Sequence, residues 1–240
     1  MPTIEWNRDA WGTRHTWALA GDEWNGMARY CGQPYDDWKS SLAATFLLPY
    51  IDGADVLEIA PGKGRWSEFM AAQARSLTLV DINENCLDAC RQRFASRKNL
   101  TYQLGDGLHL PGNSDTIDFV WSFDSFVHMD PPVFSSYIAE ISRVLRPGGR
   151  AVLHHADKYA ISIPLARATE RLGRPGKAVQ TILGQGRRHH GNRSHVTRGM
   201  VYDWARASGL DVSTQTRSWG PQNEYNVQRY RDIITVLRKP

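Results

Sequence analysis

Cysteine is scarce in this chain: its 240 residues hold three, Cys31, Cys86 and Cys90. Three thiols do not make a disulfide framework. Cys86 and Cys90 fall at i, i+4 on a predicted helix and read as small buried residues in a reducing compartment. Long apolar runs are missing, and none approaches the ~20 residues of a membrane span. The first residues, MPTIEWNRDAWGTRH, lack the apolar core of a secretion signal, so a cytoplasmic protein without a membrane partner is expected. Repeats and low-complexity tracts are missing too.

Acidic residues are missing locally. From Leu172 to Val201 there is no Asp or Glu, but there are six basic residues: Arg174, Lys177, Arg187, Arg188, Arg193 and Arg198. Without those six, the 29 basic residues of the chain fall below its 25 acidic ones. The basic isoelectric point therefore reflects one segment. Such a patch fits a small anionic ligand or substrate at least as well as a polyanion. Its cations are not interleaved with the aromatics of a base-stacking platform, which counts against nucleic acid.

What is present is a rhythm. Residues 1–50 carry five tryptophans at irregular spacing and predict a helical cap ahead of a main domain at 51–240. Trp17, Trp24, Tyr30 and Trp38 either close over a ligand or belong to the core. From residue 55 strands and helices alternate: strands at 55–60, 77–82, 100–106, 117–123 and 150–156, helices at 64–74, 84–95 and 131–145. That alternation predicts a doubly wound, mostly parallel α/β sheet. The pattern breaks at about 157–196, the basic segment, which is expected to be a lid or substrate-binding insertion. A helix at 197–209 and a closing pair of strands at 210–219 and 231–239 follow.

Ligands of open α/β sheets bind beyond the carboxyl ends of the strands. The first strand leads into EIAPGKGRW, with Glu58, Ala60, Gly62, Gly64 and Trp66. Asp81 and Ile82 end the second strand, Asp106 and Gly107 the third, and Ser122 and Phe123 the fourth. Acids near three successive strand ends point to a nucleoside-bearing ligand, because a carboxylate accepts hydrogen bonds from ribose hydroxyls. A nicotinamide or flavin fingerprint wants a third glycine where Ser67 stands, and must also hold a pyrophosphate.

These motifs resemble the class I S-adenosylmethionine-dependent methyltransferases, well over residues 54–156 and loosely elsewhere. The resemblance implies a seven-stranded Rossmann-like sheet of order 3-2-1-4-5-7-6, S-adenosylmethionine as cofactor and S-adenosylhomocysteine as product. It implies that Gly62 and Gly64 pass under the methionine part, Asp81 binds the ribose and Asp106 contacts the adenine amino group. Leu145 to Gly149, LRPGG, matches the family's turn before the fifth strand. Ala60 replaces the first glycine of the family motif. APGKGRW, SFDSFVH and the paired histidines are similar to a bacterial subset that modifies small molecules or glycans.

Amino-group methyltransferases place Asn/Asp-Pro-Pro-aromatic at the fourth strand's end. Here Asp130-Pro131-Pro132 comes six residues after Asp124 and is followed by Val133, so Asp130 is expected to cap a helix. The expected chemistry is therefore methylation of a hydroxyl on a small molecule. His128 is the expected general base, assisted by Asp124 and His155. His154 and His155 alternate across the fifth strand, so only one faces the cleft. Arg193, His154 and Asp157 are candidate substrate contacts, with Arg193 the leading anion clamp of RRHHGNRSH. Asp124, His155 and Asp157 could together hold a divalent metal. N-methylation of a small amine and a non-catalytic binding protein are the alternatives.

Overall fold

A computed structural model describes residues 3–18, 22, 33–157, 193–228 and 231–240. The centre is a seven-stranded sheet in the order β3-β2-β1-β4-β5-β9-β6. Its strands are β1 (Asp55–Ile59), β2 (Ser76–Asp81), β3 (Leu100–Leu104), β4 (Ile117–Ser122), β5 (Leu145–Ala156), β6 (Asp211–Thr216) and β9 (Asp232–Arg238). β1 to β5 run parallel; β9 is antiparallel to both β5 and β6. Among the sheet's strands β9 is seventh along the chain, so this is the expected order. Two short strands, β7 (Ser218–Trp219) and β8 (Tyr225–Asn226), pair in a separate ribbon. The expected strand at 210–219 thus ends at Thr216, and its last residues turn into that ribbon.

The alternation of apolar residues builds a core on each face. Val56, Phe119, Trp121 and Val152 look to one side, and Leu57, Ile59, Val120 and Leu153 to the other. Both faces are covered, which is why the central strands are nearly continuously apolar. On the first face lies α2 (Tyr35–Phe46), which buries Trp38, Leu42, Ala43 and Phe46. The Trp38 ring lies 5.9 Å from Phe123, 6.0 Å from Trp219 and 6.4 Å from Trp66, and its Nε1–H donates to the Asn226 carbonyl. α3 (Ser67–Gln73) and α4 (Glu84–Arg93) connect the first three strands; α4 buries Cys86 and Cys90 as free thiols.

The second face is covered by α5 (Pro131–Val144) and α6 (Arg198–Ala207). The Asp130 side chain accepts from the Val133 N–H at 3.2 Å, and Pro131 opens the helix. Asp130 is therefore the cap its sequence context implied. The expected turn at 145–149 falls within β5 as an irregular start: Leu145 pairs with Ile117, and regular pairing resumes at Arg150 after a shift in register, with Gly148 between them at φ 83°. The N-terminal segment forms α1 (Ile4–Asp9) and a π-helical turn at Ala10–Arg14. No described helix is long and apolar enough to cross a membrane. Most of the expected basic insertion lies outside the described residues, as do Trp24 and Tyr30.

Candidate active site

The strand order reverses between β1 and β4, and a cleft opens beyond their carboxyl ends. Its lining is mostly apolar, with a few polar side chains among them, as is usual for small-molecule sites. The turn after β1 makes its floor. Ala60 adopts φ 56° and donates its N–H to the Val80 carbonyl at 2.7 Å. Alanine therefore takes the left-handed conformation that glycine would take without strain, at a cost of roughly 1–2 kcal/mol. Gly62, at φ 57°, lies on the cleft, and a Cβ there would meet the Trp17 ring at 2.7 Å. Gly64 has a different task. A Cβ there would meet the Phe94 ring at 2.7 Å, so its absence makes room for Phe94, and Gly64 does not line the cleft.

Glu58 is buried under this turn and accepts from the Ser67 hydroxyl. Burial raises its pKa to about 8, against a smaller lowering by the Ser67 hydrogen bond. It holds the turn from below and is not a lining residue. Asp81, at the end of β2, does line the cleft, followed by Ile82 and Asn83. Its Oδ1 accepts from the Asn83 N–H at 2.9 Å. Burial lifts its pKa to about 7, opposed by the backbone hydrogen bonds it accepts. At β3 the cleft receives Gly107 rather than Asp106. The Asp106 carboxylate folds back to accept from the Leu108 and His109 amides at 2.7 and 2.8 Å and meets His109 Nδ1 at 2.6 Å. Slight burial pushes Asp106 up, but these hydrogen bonds outweigh it and bring its pKa to about 2.

At β4, Ser122 is fully buried; its hydroxyl donates to the Ile59 carbonyl at 2.8 Å and meets Ser125 Oγ at 2.9 Å. It ties β4 to β1 and does not reach the ligand space. Phe123, Asp124 and Ser125 line the cleft. Trp66 lies 5.1 Å from the Phe123 ring. Asp124 is a non-glycine residue at φ 69°. Its N–H donates to His154 Nδ1 at 3.1 Å, and the His154 ring stacks on Phe123 at 4.1 Å. Burial drives the His154 pKa well down, helped by Arg193, so the ring is neutral and Nδ1 is an acceptor.

Neither histidine lines the cleft, so neither takes the role expected of it: His154 supports Asp124 and Phe123 from the core. His155 points to the other face, edge-on to Phe134 at 5.4 Å. Its Nδ1–H donates to the Ala156 carbonyl and its Nε2 accepts from the Thr235 hydroxyl, both at 2.7 Å. Burial lowers its pKa to about 4. It has no access to the cleft. His128 is also displaced. It closes a 3-10 turn, is 6% exposed and packs 4.9 Å from the Trp11 ring, outside the lining residues. Its carbonyl accepts from Asn7 Nδ2 at 2.8 Å.

Arg193 pairs with the buried Asp232 on β9 and is not in the cleft. Asp157 accepts from the Arg198 N–H at 2.9 Å and pairs with Arg217, beside a separate open cavity. Asp124, His155 and Asp157 are therefore not gathered around one point, and no metal-holding group of three such side chains occurs among the described residues. Of RRHHGNRSH, residues 187–192 lie outside the described part.

The N-terminal aromatics divide. Trp11 and Trp17 line the cleft with Ile4 and Asn7, while Trp38 belongs to the core. Arg8 Nε donates to the Ile82 carbonyl at 3.4 Å and Asn85 Nδ2 to the Gly12 carbonyl at 2.6 Å, so this segment is held across the cleft's mouth. Sequence reasoning passed over Arg65, a lining residue only 7% exposed. Its one signal was a charge between a glycine turn and a buried tryptophan.

The donors fit the nucleoside cofactor. A buried carboxylate at β2, a left-handed glycine turn at β1 and a buried guanidinium beyond it offer partners for a ribose, a close-approaching chain and an anion.

Residues 56–149 match the family model described as a methyltransferase domain. The chain is 30% identical over 105 residues to methyltransferase GfsG of Streptomyces halstedii, covering 42% of this chain and 37% of that one. It is 33% identical to a fatty-acid O-methyltransferase of Mycolicibacterium smegmatis, covering 41% of this chain and 36% of that one. A demethylmenaquinone methyltransferase of Clavibacter sepedonicus is 29% identical over 54% of this chain and 51% of its own. The chain thus spans about half or less of these curated relatives. In fold it is similar to the magnesium protoporphyrin IX methyltransferase of Synechocystis, solved with S-adenosylhomocysteine bound, with a TM-score of 0.64, 16% identity and 97% of each chain covered. Residues 56–149 thus resemble a methyltransferase domain, and they lie in a sheet whose strand order and cleft at the β1–β4 reversal are those of the class I methyltransferase fold.

Proposed function

We propose that this protein transfers a methyl group from S-adenosylmethionine to a hydroxyl of a small molecule, with Asp124 facing the acceptor. The observation that carries this is the placement of Asp124. It stands at the β4 tip on the cleft, and Asp81 is the other carboxylate among the described lining residues. The neighbouring Asn83 amide fixes Asp81 at β2, where it suits the ribose hydroxyls. Asp124 is left to the other half of the cleft.

The cofactor supplies an electrophilic methyl on a sulfonium. A hydroxyl acceptor must be aligned with it and must lose its proton as the new C–O bond forms. The Asp124 carboxylate accepts the hydrogen bond from that hydroxyl, then its proton, and passes the proton to water. This moves the base from His128, which lies beneath Trp11, to a residue that lines the cleft. Trp11, Trp17, Trp66, Phe123 and Tyr137 make an apolar wall that suits a small organic acceptor and excludes water. The named activity of the Mycolicibacterium relative, a fatty-acid O-methyltransferase, supports an oxygen acceptor.

The test is methyl-labelled cofactor offered with a panel of hydroxylated, carboxylic and amine small molecules, read by mass spectrometry. A methylated oxygen is expected, and Asp124→Asn should lower turnover by about 10²–10⁴-fold, the usual contribution of a general base. Methylation only of amines, or full turnover in Asp124→Asn, contradicts this reading.

A further inference from the structure

We infer that Arg65 is the receptor for the α-carboxylate of the cofactor's methionine portion, an inference that rests on the cofactor assignment above. Arg65 follows the glycine turn and returns toward the β4 tip. Its side chain is only 8% exposed. The guanidinium carbon lies 5.5 Å from the ring centre of Trp66 and 5.5 Å from that of Phe123, so two aromatic faces hold it in place.

Its hydrogen bonds are unmade. Nε and Nη1 are buried without a partner, and Nη2 stands 3.9 Å from Asp124 Oδ2, beyond hydrogen-bond reach. Native structures leave few buried polar groups unsatisfied, least of all charged ones. An arginine that packs on aromatics, lines a ligand cleft and keeps N–H groups unused is built for an anion that arrives with the ligand. Among the described lining residues it is the sole Arg, Lys or His side chain.

Topology says which anion. Asp81 ends β2 and Arg65 reaches residues at the end of β4, with β1 between them. Strands are spaced about 4.8 Å apart, so the two groups flank the cleft on opposite sides of the glycine turn, roughly 10 Å apart. A ribose held at Asp81 sends the 5′ substituent over Gly62 toward Arg65. The one full negative charge of that substituent is its carboxylate. With it in place, the guanidinium stands between two anions, the ligand's carboxylate and Asp124, and both are held near the β4 tip.

The test is calorimetric and needs no acceptor. S-adenosylhomocysteine and 5′-methylthioadenosine share the adenosine and the sulfur, but only the first carries the carboxylate. Arg65→Gln should weaken S-adenosylhomocysteine binding by about 10- to 100-fold and leave methylthioadenosine within about twofold of wild type. An equal loss for both ligands would mean that Arg65 merely supports the fold. No loss for either would place the carboxylate elsewhere. Both outcomes overturn the assignment. Wild-type protein provides the second measurement, since the carboxyl methyl ester of S-adenosylhomocysteine should bind about 10- to 100-fold more weakly than the acid. An ester that binds as tightly as the acid also overturns it. Failure of wild-type protein to bind any of these nucleosides would instead remove the cofactor assignment itself.

Discussion

The backbone N–H of Asp124 donates to Nδ1 of His154, 3.1 Å away across the β4–β5 pair. This bond links a strained residue on the cleft to a neutral histidine in the core. Asp124 has φ 69°, a conformation that costs a non-glycine residue about 1 kcal/mol or more. His154 supplies the acceptor that makes the conformation worthwhile, and Phe123 stacking at 4.1 Å fixes its ring.

Removing that acceptor should unsettle Asp124. His154→Ala should cost about 1–3 kcal/mol for the unpaired N–H and lower turnover more than S-adenosylhomocysteine affinity. His154→Asn places an amide oxygen near the lost Nδ1 and should restore part of the turnover. His155 bonds Thr235 and Ala156 on the opposite face, so His155→Gln should lower the melting temperature and leave the turnover of the remaining folded protein near wild type. Kinetics beside thermal melts decide which histidine serves the cleft.

Trp38 tests the packing of α2. It is fully buried among Trp66, Phe123 and Trp219. Trp38→Ala should destabilise the protein by about 3–5 kcal/mol in chemical unfolding. Trp11→Ala removes a ring at the cleft's mouth instead, and should affect ligand binding more than stability.

Glu58 tests electrostatics under the glycine turn. Its pKa is raised from 4.5 to about 8, chiefly by burial. A raised folded-state pKa means that the native protein holds a proton the unfolded chain releases. The stability this gives is complete below pH 4.5 and is lost as pH rises toward about 8. Asp81, raised to about 7, acts in the same direction. The buried, neutral His154 and His155 act the opposite way, adding stability as pH rises toward 6.5. The Glu58 contribution is therefore read as a difference: the stability of wild type minus that of Glu58→Gln should fall between pH 5 and pH 8. A slope unchanged in the variant would contradict the assignment.

Much of this was legible because local chemistry determines it. Apolar strands alternating with helical spacing imply a doubly wound sheet, and strand tips then place Asp81, Gly62, Phe123 and Asp124 without further help. Asp130 was legible as a cap because Pro-Pro follows it. What failed depended on partners distant in the chain. Alternation says that His154 and His155 face opposite ways, but that both are buried, His154 under Phe123 and His155 against Phe134 and Thr235, depends on residues far away in the chain. Arg193 looked like an anion clamp until Asp232, 39 residues further on, supplied its counter-ion. Asp106 looked free until His109 and its own loop engaged it. Arg65 carried only the faint signal of a charge between a glycine turn and Trp66, because its neighbours' identities do not announce buried guanidinium nitrogens without a partner.

The central claim is a nucleoside-sulfur cofactor held at the β1–β4 reversal by Asp81. The most direct test is calorimetry of S-adenosylhomocysteine against wild-type protein and Asp81→Ala, with NAD as the competing ligand. Wild-type protein should bind S-adenosylhomocysteine and not NAD, and Asp81→Ala should weaken binding by about 10- to 100-fold, as expected for hydrogen bonds to a charged acceptor. Preference for NAD, or equal affinity in Asp81→Ala, would contradict it.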